Sequence, residues 1–493
     1  MRMPRDSLRS LIRDVVDSSD VEWNPGPARL RVEALRYARR TRPGPLAVVS
    51  SRARARMPSR TLVTYRPGGL SDRAAGAADY LLGSRYYAVE RCIGAGPGRF
   101  RVLALVEASH PHLALMAHLN FFPCEREGGE PDIVTLDAPG FPETWILVER
   151  PTASTVVLGS DYYGELKMSL LRMAMNLSRD DRHAPGLHAG SKLYRVRAGG
   201  GLREVGVLIF GLSGTGKTTL TVEDHGLGRP EGVSLRQDDI VILHSTGRAS
   251  GTEYNLYPKT DSVPELPALQ PAVLHPDAVL ENVVVRGDGT PDFSDLSITP
   301  NARALAIREA IPIADARVDL DRVDALVFLT RRPEMPPLAR LAGPEQAAAY
   351  FMLGESFRTS AEAGKPEPVR VPGFDPFMLE PRWRSGLLML DLVDRLGLEV
   401  YVMNTGYVGD RKVPPSVSKQ LLIEAVRGRV EWRRDPHLGV DVAVRAGGLS
   451  LDSLLPSSVY GPRYPEVVEA LRRERARFLE ENLPRLSFLA SYV

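Results

Sequence analysis

The residues best suited to chemistry lie in the glycine-rich run 211–219, which reads Gly-Leu-Ser-Gly-Thr-Gly-Lys-Thr-Thr. An apolar stretch over residues 205–210 precedes it. A strand that enters a glycine-rich turn and then a helix forms a cradle of backbone N–H groups for phosphates. Lys217 would reach the terminal phosphates of a nucleotide, and Thr218 would offer its hydroxyl to a magnesium ion. The residues predicted to bind the nucleotide are Gly211, Ser213, Gly214, Thr215, Gly216, Lys217, Thr218 and Thr219.

Two adjacent aspartates, Asp238 and Asp239, open an apolar run at residues 240–243 downstream of this loop. A phosphate-loop enzyme needs a carboxylate near the neighbouring strand to hold the metal that bridges the phosphates. Aspartate pairs also cap turns, and the pair alone fits that role equally well. Because a complete phosphate loop precedes the pair, we favour the metal site.

Lysine is scarce, since only seven of the 63 Lys and Arg residues are lysines. A lysine kept in so arginine-rich a chain is a candidate for a role that needs a compact ammonium, beside a phosphate or a metal. Lys217 is one such residue, and Lys167 and Lys259 are others. Tyr163, Lys167 and His188 precede the phosphate loop, although tyrosines also pack in cores and a lone histidine is commonly structural.

Alternating and helical hydrophobic patterns predict the elements that position these residues. Helices are expected around residues 8–15, 113–120, 170–177, 344–351, 385–396 and 464–483. Strands are expected at residues 46–50, 61–65, 100–106, 132–136, 145–149, 154–158, 193–196, 205–210, 240–243, 280–285, 291–293, 325–330 and 398–403. The mixture predicts the α/β class. The basic run at residues 52–60 favours a solvated loop over an anion site.

Composition sets the remaining bounds. A chain of 493 residues with 43% hydrophobic and 25% charged residues is typical of a globular protein with two or three domains. A net charge of +2 from interspersed charges gives no sign of nucleic-acid binding. The presence of only two cysteines argues against a disulfide scaffold and fits a reducing compartment. The sequence contains no run of eighteen apolar residues, so we expect no membrane span. We therefore expect a cytoplasmic protein.

Several separated segments together resemble the ATP-type phosphoenolpyruvate carboxykinases. The phosphate loop has that family's narrow form, GLSGTGKTTL, over residues 211–220. The likeness is good over roughly residues 154–410 and thin before residue 100. The other similar segments are Tyr163 with residues 164–167, His188, Asp238 with Asp239, and residues 257–260, 281–286, 288–290, 301–303, 327–330, 336–341 and 404–406.

This resemblance implies a two-domain α/β fold. An N-terminal mixed α/β domain, residues 1–186, would lie on the substrate side, and residues 187–493 would form a P-loop nucleotide-binding domain on a mixed sheet. The active site would lie in the cleft between them. The implied reaction converts oxaloacetate and ATP to phosphoenolpyruvate, ADP and carbon dioxide.

The resemblance also implies two divalent ions and a set of cationic residues. Magnesium would accompany ATP at Thr218, and a second ion, manganese, would be held by the protein at His188 and Asp239 with Asp238 nearby. A metal there can stabilise the enolate as a Lewis acid. Lys217, Lys259 and Arg303 would neutralise charge around the γ-phosphate.

Departures from the family pattern fall on the substrate and metal side. The family's second lysine after the glycine pair, a metal ligand, is Met168 here, so Lys167 can replace it only if the loop shifts by about one residue. Arg56 is a weak match for the substrate-binding arginine. The resemblance also implies that Tyr163 would contact the substrate. Arg411 stands in for the adenine-side arginine.

Because the nucleotide side is kept and the substrate side departs, two alternatives stay open. The chain could be a divergent kinase on this fold that phosphorylates another small molecule or a protein hydroxyl. It could also be a nucleotide-binding regulator without turnover.

Overall fold

The computed structural model describes residues 7–51, 60–124, 129–358 and 367–493 of the chain. It divides into two compact units. The first contains Met1–Leu177 and Gly251–Pro312, and the second contains Ser178–Ser250 and Ile313–Val493. The division into residues 1–186 and 187–493 stays a prediction. Its boundary lies nine residues after Leu177, where the chain first passes from the first unit to the second.

Helices and strands alternate along the chain, which confirms the α/β class. The α-helices, numbered in chain order over the described residues, are α1 (Leu8–Ser18), α2 (Pro27–Ala34), α3 (Ser71–Ala75), α4 (Ala78–Leu82), α5 (Pro111–Asn120), α6 (Tyr163–Arg182), α7 (Lys217–Val222), α8 (Gln270–Val273), α9 (Pro344–Leu353), α10 (Trp383–Leu396), α11 (Pro415–Val426), α12 (Pro456–Tyr460) and α13 (Tyr464–Asn482).

The strands, numbered in the same way, are β1 (Asp20–Trp23), β2 (Arg39–Arg40), β3 (Leu46–Val48), β4 (Thr61–Thr64), β5 (Arg85–Ile93), β6 (Phe100–Glu107), β7 (Ile133–Ala138), β8 (Trp145–Glu149), β9 (Ser154–Leu158), β10 (Gly186–Ala198), β11 (Gly201–Phe210), β12 (Gly232–Gln237), β13 (Ile240–Leu243), β14 (Ala249–Gly251), β15 (Val279–Glu281), β16 (Val284–Val285), β17 (Pro291–Asp292), β18 (Arg303–Leu305), β19 (Ala325–Thr330), β20 (Leu338–Arg340), β21 (Glu355–Arg358), β22 (Glu367–Arg370), β23 (Glu399–Asn404), β24 (Tyr407–Val408), β25 (Arg411–Lys412), β26 (Val430–Asp435), β27 (Val440–Ala446) and β28 (Leu449–Ser450).

Two sheets organise the first unit. A seven-stranded mixed sheet has the order β1-β5-β6-β7-β9-β8-β4, in which β6, β7 and β9 run parallel. A smaller sheet has the order β18-β15-β3-β2. One face of the larger sheet is covered by α1, whose Leu8, Ile12 and Val15 are buried against it at helical spacing. The smaller sheet carries Glu281 at the end of β15 and Arg303 at the start of β18.

An eleven-stranded mixed sheet organises the second unit. Nine of its strands follow the order β14-β13-β10-β11-β19-β23-β20-β27-β26, while β12 pairs with β10 and β28 with β27. Its central strands β11, β19 and β23 are parallel. Both faces of β11 are buried, since Leu208 and Phe210 join one hydrophobic cluster while Val207 and Ile209 join another. The continuous apolar run before the phosphate loop is therefore the pattern of a strand covered on both faces.

A disulfide joins Cys92 on β5 to Cys124, with the Cα atoms 5.3 Å apart. The backbone groups of Cys92 and Phe122 also exchange hydrogen bonds of 2.8 and 3.0 Å beside it. Because Cys92 and Cys124 are joined in a disulfide, the low cysteine count is no longer an argument for a reducing compartment.

Across the described ranges, the structure contains no helix long and apolar enough to cross a membrane.

Candidate active site

The predicted phosphate loop has the backbone that its glycines require. The β11 strand ends at Phe210, residues 211–216 turn, and α7 begins at Lys217. Gly214 and Gly216 adopt φ values of +81° and +90°, a region that side chains with a Cβ rarely enter. Ser213 and Gly214 are exposed, whereas Gly211 and Thr215 are buried and anchor the turn. The loop therefore presents its backbone outward at the start of a helix, as phosphate binding needs.

One hydrogen bond lies within this loop, and another joins the loop to the residue that follows the parallel strand β23. The Thr215 hydroxyl donates to the Leu212 carbonyl oxygen at 2.7 Å. Thr405, which follows β23, donates through its hydroxyl to the Thr215 carbonyl oxygen at 2.7 Å. The carboxyl ends of parallel strands share one sheet edge, which is where α/β proteins place ligand-binding loops.

Strand register brings His188 and Asp239 to the same edge. The β10 strand is antiparallel to β11 with Ala189 opposite Phe210, so His188 lies beside the start of the phosphate loop. The β13 strand pairs with β10 so that Ile240 lies opposite His188, which places Asp239 next to it. His188 lies within the long strand β10, whereas the sequence pattern predicts a strand only from residue 193.

Three predicted residues meet at this point. The Lys217 Nζ lies 3.0 Å from His188 Nε2 and 3.5 Å from Asp239 Oδ1. His188 Nε2 and Asp239 Oδ1 are 3.0 Å apart. Thr218 and Thr219 follow Lys217 in the half-buried first turn of α7, and Asp238 is buried beside Asp239. The structure thus assembles the loop lysine with one histidine and one carboxylate.

The donor chemistry of this group fits a divalent cation. His188 Nδ1 lies 2.8 Å from the Phe374 carbonyl oxygen, which can only accept a hydrogen bond, so Nδ1 carries the proton. Nε2 faces the Asp239 carboxylate and the Lys217 ammonium, and a divalent cation held between Nε2 and the carboxylate would bind the neutral imidazole. A histidine that donates its second N–H to a carbonyl is also the usual form of a metal ligand. Over the described part of the chain, no cluster of three or more His, Cys, Asp or Glu side chains is arranged to hold a metal, so His188 and Asp239 form a two-residue set.

A second polar group lies in the first unit, around Arg303 and Lys259. The backbone of Arg303 on β18 lies opposite Glu281 on β15, and it forms an isolated β-bridge with the backbone of Lys259. Its guanidinium donates to the Asn301 side chain at 3.1 and 3.2 Å and to the Tyr257 carbonyl oxygen at 3.3 Å. The Lys259 Nζ donates to the Pro300 carbonyl oxygen at 3.3 Å and is a third exposed. Two predicted cations therefore share one surface of this unit.

Glu281 is a buried carboxyl in the middle of this group. It accepts a hydrogen bond from the Tyr163 backbone N–H at 2.9 Å and contacts the Tyr257 hydroxyl. Burial raises the pKa of Glu281 to about 8, because the charged form loses its hydration. The same burial raises the pKa of the Tyr257 hydroxyl well above its ordinary value. At neutral pH Glu281 is therefore mainly a neutral acid.

Lys167 makes a buried ion pair in the first unit. Its Nζ lies 3.0 and 3.2 Å from the two carboxylate oxygens of Glu253. The exposed fractions of the two side chains are 3% and 1%. Asn120 supports the pair by donating to Glu253 Oε1 at 2.7 Å. The role of Lys167 as the metal-ligand lysine stays a prediction.

The remaining predicted residues fall in different surroundings. Arg56 lies outside the described residues. Arg411 is exposed on β25 and donates to the Ser453 carbonyl oxygen at 2.6 Å. Tyr163 is fully buried with its ring edge-on to Tyr257 at 5.2 Å. Their binding roles stay predictions.

Sequence reasoning missed three polar residues of this region, namely Glu253, Glu281 and Tyr162. The hydroxyl of Tyr162 accepts a hydrogen bond from Asn301, which also holds Arg303, at 3.0 Å. Glu281 carried a signal, because it is a single carboxylate inside the apolar run 278–285. Glu253 had none, because its partner Lys167 is 86 residues away in the chain.

Known proteins similar to this chain indicate its family. The family model described as phosphoenolpyruvate carboxykinase matches residues 70–451. A protein of Aeropyrum pernix named phosphoenolpyruvate carboxykinase (ATP) is 64% identical over 489 residues, which cover 99% of this chain and 100% of that protein. Proteins of the same name from Rhizobium rhizogenes and a Methylobacterium species are 29% and 30% identical, and each match covers 68% of this chain and 64% of the relative.

The matched region contains the phosphate loop, His188, Asp239, Lys259 and Arg303. It also extends well before residue 154, where the motifs alone gave little likeness. The resemblance stated from the motifs is confirmed, and the chain belongs to the phosphoenolpyruvate carboxykinase family.

Proposed function

We propose that this protein converts oxaloacetate and ATP to phosphoenolpyruvate, ADP and carbon dioxide. The observation that carries the proposal is the phosphate loop whose Lys217 lies 3.0 Å from His188 and 3.5 Å from Asp239. This group joins a phosphate-binding lysine to the two residue types that hold a divalent ion. The 64% identity to a protein named phosphoenolpyruvate carboxykinase (ATP) supports the same reaction over the two alternatives.

The reaction has two steps that place separate demands on the residues. Loss of carbon dioxide breaks a carbon–carbon bond and leaves its electron pair on an enolate. The enolate oxygen then attacks the γ-phosphorus of ATP, and the bond to the ADP oxygen breaks. Lys217, Lys259 and Arg303 would neutralise the charge on the transferring phosphoryl group, because that transfer depends mainly on positioning and electrostatic stabilisation.

Two divalent ions belong to the proposal. Magnesium would enter with ATP and contact the Thr218 hydroxyl, and His188 and Asp239, with Asp238 nearby, would hold the second ion, manganese. When bound, such an ion supplies Lewis-acid stabilisation of negative charge on the enolate oxygen. The chain's own part is to hold the Nδ1 proton of His188 against the Phe374 carbonyl, so that Nε2 is the ring nitrogen that would face the ion.

Lys167 would complete this metal set as a neutral amine. Its carboxylate partner Glu253, at 3.0 Å, instead favours the ammonium, which has no lone pair to give. Lys167 could act as a ligand only after its ammonium has passed a proton to Glu253 or to water and the amine has separated from that carboxylate. Arg56 and Tyr163 complete the proposal as contacts of the substrate. The proposed location is the cytoplasm, and we propose no nucleic-acid partner.

The reaction is tested directly with the purified chain. Protein, magnesium, manganese and ATP are given oxaloacetate, and phosphoenolpyruvate is measured. Product that depends on both substrates is expected. ATP binding without product would overturn the proposal, and ATP consumption that requires another acceptor would then favour the divergent kinase. Binding without any turnover would favour the regulator.

Variants separate the nucleotide and substrate sides. Lys217→Ala should abolish ATP turnover, because the phosphates lose their principal cation. Lys419→Ala, which removes a lysine paired with Glu223 at 2.5 Å in the same unit, is the matched control and should keep turnover. Arg56→Ala should weaken only the use of oxaloacetate. Normal oxaloacetate kinetics in Arg56→Ala would show that the substrate carboxylate binds elsewhere.

A further inference from the structure

Lys192 is a scarce lysine that the proposed function does not use. It lies on β10, four residues beyond His188. Its side chain is completely buried, with 0% exposure. A buried lysine is uncommon, and such a residue needs hydrogen-bond acceptors around its ammonium.

The acceptors are backbone carbonyls at the end of the phosphate-loop helix. The Lys192 Nζ donates to the Leu220 carbonyl oxygen at 2.9 Å and contacts the carbonyl oxygen of Glu223. The last carbonyls of a helix lack partners within the helix and carry its negative dipole end. An ammonium at this place satisfies those acceptors and matches that charge.

His225 acts on the same helix end. Its Nε2 lies 2.9 Å from the Leu220 carbonyl oxygen, so Nε2 carries the proton and donates. Burial and the neighbouring Lys192 lower the pKa of His225 to about 3, which keeps the ring neutral. Two side chains therefore hold one carbonyl of α7.

The helix that they hold is short and closely packed. The α7 helix has only six residues, and Lys217 and Thr218 are its first two. A Cβ on Gly190 of β10 would lie 2.3 Å from Thr221 Oγ1, so strand and helix approach too closely for any larger residue. At the other end of α7, Lys217 lies 3.0 Å from His188, which is also on β10. One strand thus contacts both ends of the helix.

We propose that Lys192 is a positioning residue for ATP, which fixes the C-terminal end of α7 and thereby the places of Lys217 and Thr218 at its start. Because α7 is fewer than two turns long, a shift at its end moves its beginning as well. The inference deepens the proposed function and rests on it only for the assignment of ATP to this loop.

The electrostatic surroundings support the assignment. Burial lowers the pKa of Lys192 to about 7, while Glu223 and Asp224 oppose the shift and Lys419 adds to it. The Tyr194 ring also faces the ammonium at 5.4 Å. Burying an ionisable amine at the cost of its hydration lowers the stability of the fold. Ionisable groups with such perturbed pKa values are concentrated at functional sites.

The test compares Lys192→Met with Lys419→Met. Lys419 is a lysine near the same helix end, but it is 32% exposed and pairs with the Glu223 side chain. Three measurements are made on each folded variant: the Kd for ATP with magnesium by calorimetry, amide hydrogen exchange over residues 217–222 without ligand, and the KM for oxaloacetate.

Lys192→Met should raise the Kd for ATP about tenfold, the equivalent of one lost hydrogen bond to a charged donor. It should also speed exchange over residues 217–222 and leave the KM for oxaloacetate within about twofold of the parent. Lys419→Met should bind ATP within about twofold of the parent. An unchanged Kd in Lys192→Met, or equal losses for ATP and oxaloacetate, would overturn the assignment.

A second variant covers the case in which Lys192→Met does not fold. Lys192→Gln removes the positive charge and shortens the side chain, so the ammonium contacts at the end of α7 are lost, and it is compared with Lys419→Gln. Weaker ATP binding in Lys192→Gln alone supports the assignment, and parent-like binding overturns it. ATP binding is measured without oxaloacetate, so a parent that binds ATP but forms no phosphoenolpyruvate refutes the proposed reaction and leaves this comparison valid.

Discussion

Glu281 of the first unit and Glu355 of the second are both buried, but the pKa values of their carboxyl groups are shifted in opposite directions. Burial raises the pKa of Glu281 to about 8. Burial acts in the same direction on Glu355, but Arg475 and Arg332 outweigh it and lower the pKa of Glu355 to about 2. At neutral pH the first is therefore mainly neutral and the second is charged.

The hydrogen-bond partners explain the difference. Glu355 Oε1 accepts from Arg475 at 2.6 and 3.0 Å, and Oε2 accepts from Arg370 at 3.0 Å. Glu281 has a backbone N–H and a tyrosine hydroxyl instead. The compensated carboxylate joins β21 to α13 and stabilises structure, whereas the uncompensated one lies beside predicted catalytic residues. Unfavourable burial thus marks a candidate site better than burial itself does.

Breaking the compensated carboxylate should have the largest effect. Glu355→Gln should lower the free energy of unfolding by about 3–5 kcal/mol, because buried arginines lose their counter-charge. Denaturant unfolding at pH 7 measures this. Glu367→Gln is the control, since Glu367 pairs with Arg358 at 2.7 Å with a 54% exposed side chain and should change stability by at most about 1 kcal/mol. Equal effects of the two variants would show that the arginines do not need Glu355.

The pH dependence of the same residue has a definite sign. The folded-state pKa of Glu355 is below its ordinary value of 4.5, so its stabilisation is complete above about pH 4.5. That stabilisation should disappear as the pH falls toward 2. Glu355→Gln should lack this part of the acid sensitivity of the parent.

The disulfide gives the next largest effect and distinguishes the units, because both cysteines lie in the first. Removing a bridge between residues 32 positions apart should lower the free energy of unfolding by roughly 3–4 kcal/mol. A reductant should therefore lower the Tm of the parent. It should also speed hydrogen exchange in β5 and α5 more than in β11 and β19. A variant with alanine at both cysteines is the control and should not respond to reductant; uniform acceleration in both units would contradict the prediction.

Much of the fold could be predicted from local pattern. The strands at residues 145–149, 154–158, 240–243 and 325–330 have the predicted bounds, because each is a short apolar run bordered by turn residues. The helix predicted at residues 170–177 extends over Tyr163–Arg182. Its first turns contain Tyr163 and Lys167, which are buried by contacts with distant parts of the chain that the local pattern does not show. Local pattern fails where distant partners determine the environment.

The candidate site divides in the same way. The phosphate loop is contiguous, and its motif defines Lys217 and Thr218. His188 and Asp239 reach Lys217 only through the register of β10 with β11 and β13, which spacing along the chain does not give. The Lys167 pair with Glu253 and the return of residues 251–312 to the first unit depend on contacts across more than 80 residues. Sequence alone therefore names the cations better than their carboxylate partners.

The sharpest test of the comparison turns on the protonation of one group, the Glu281 carboxyl. Glu281→Gln keeps the acceptor for the Tyr163 N–H but cannot ionise. Since the folded-state pKa of Glu281 lies above its ordinary value, the unfolded chain releases this proton first, and the parent should lose stability as the pH rises from about 4.5 to 8. The loss is at most about 1.4 kcal/mol per pH unit. The Tm of Glu281→Gln minus that of the parent should therefore grow between pH 5 and 8 and level off above, whereas Glu367→Gln should follow the parent. If the Glu281→Gln and parent profiles run parallel, Glu281 is ionised in the folded protein, and the contrast with Glu355 fails.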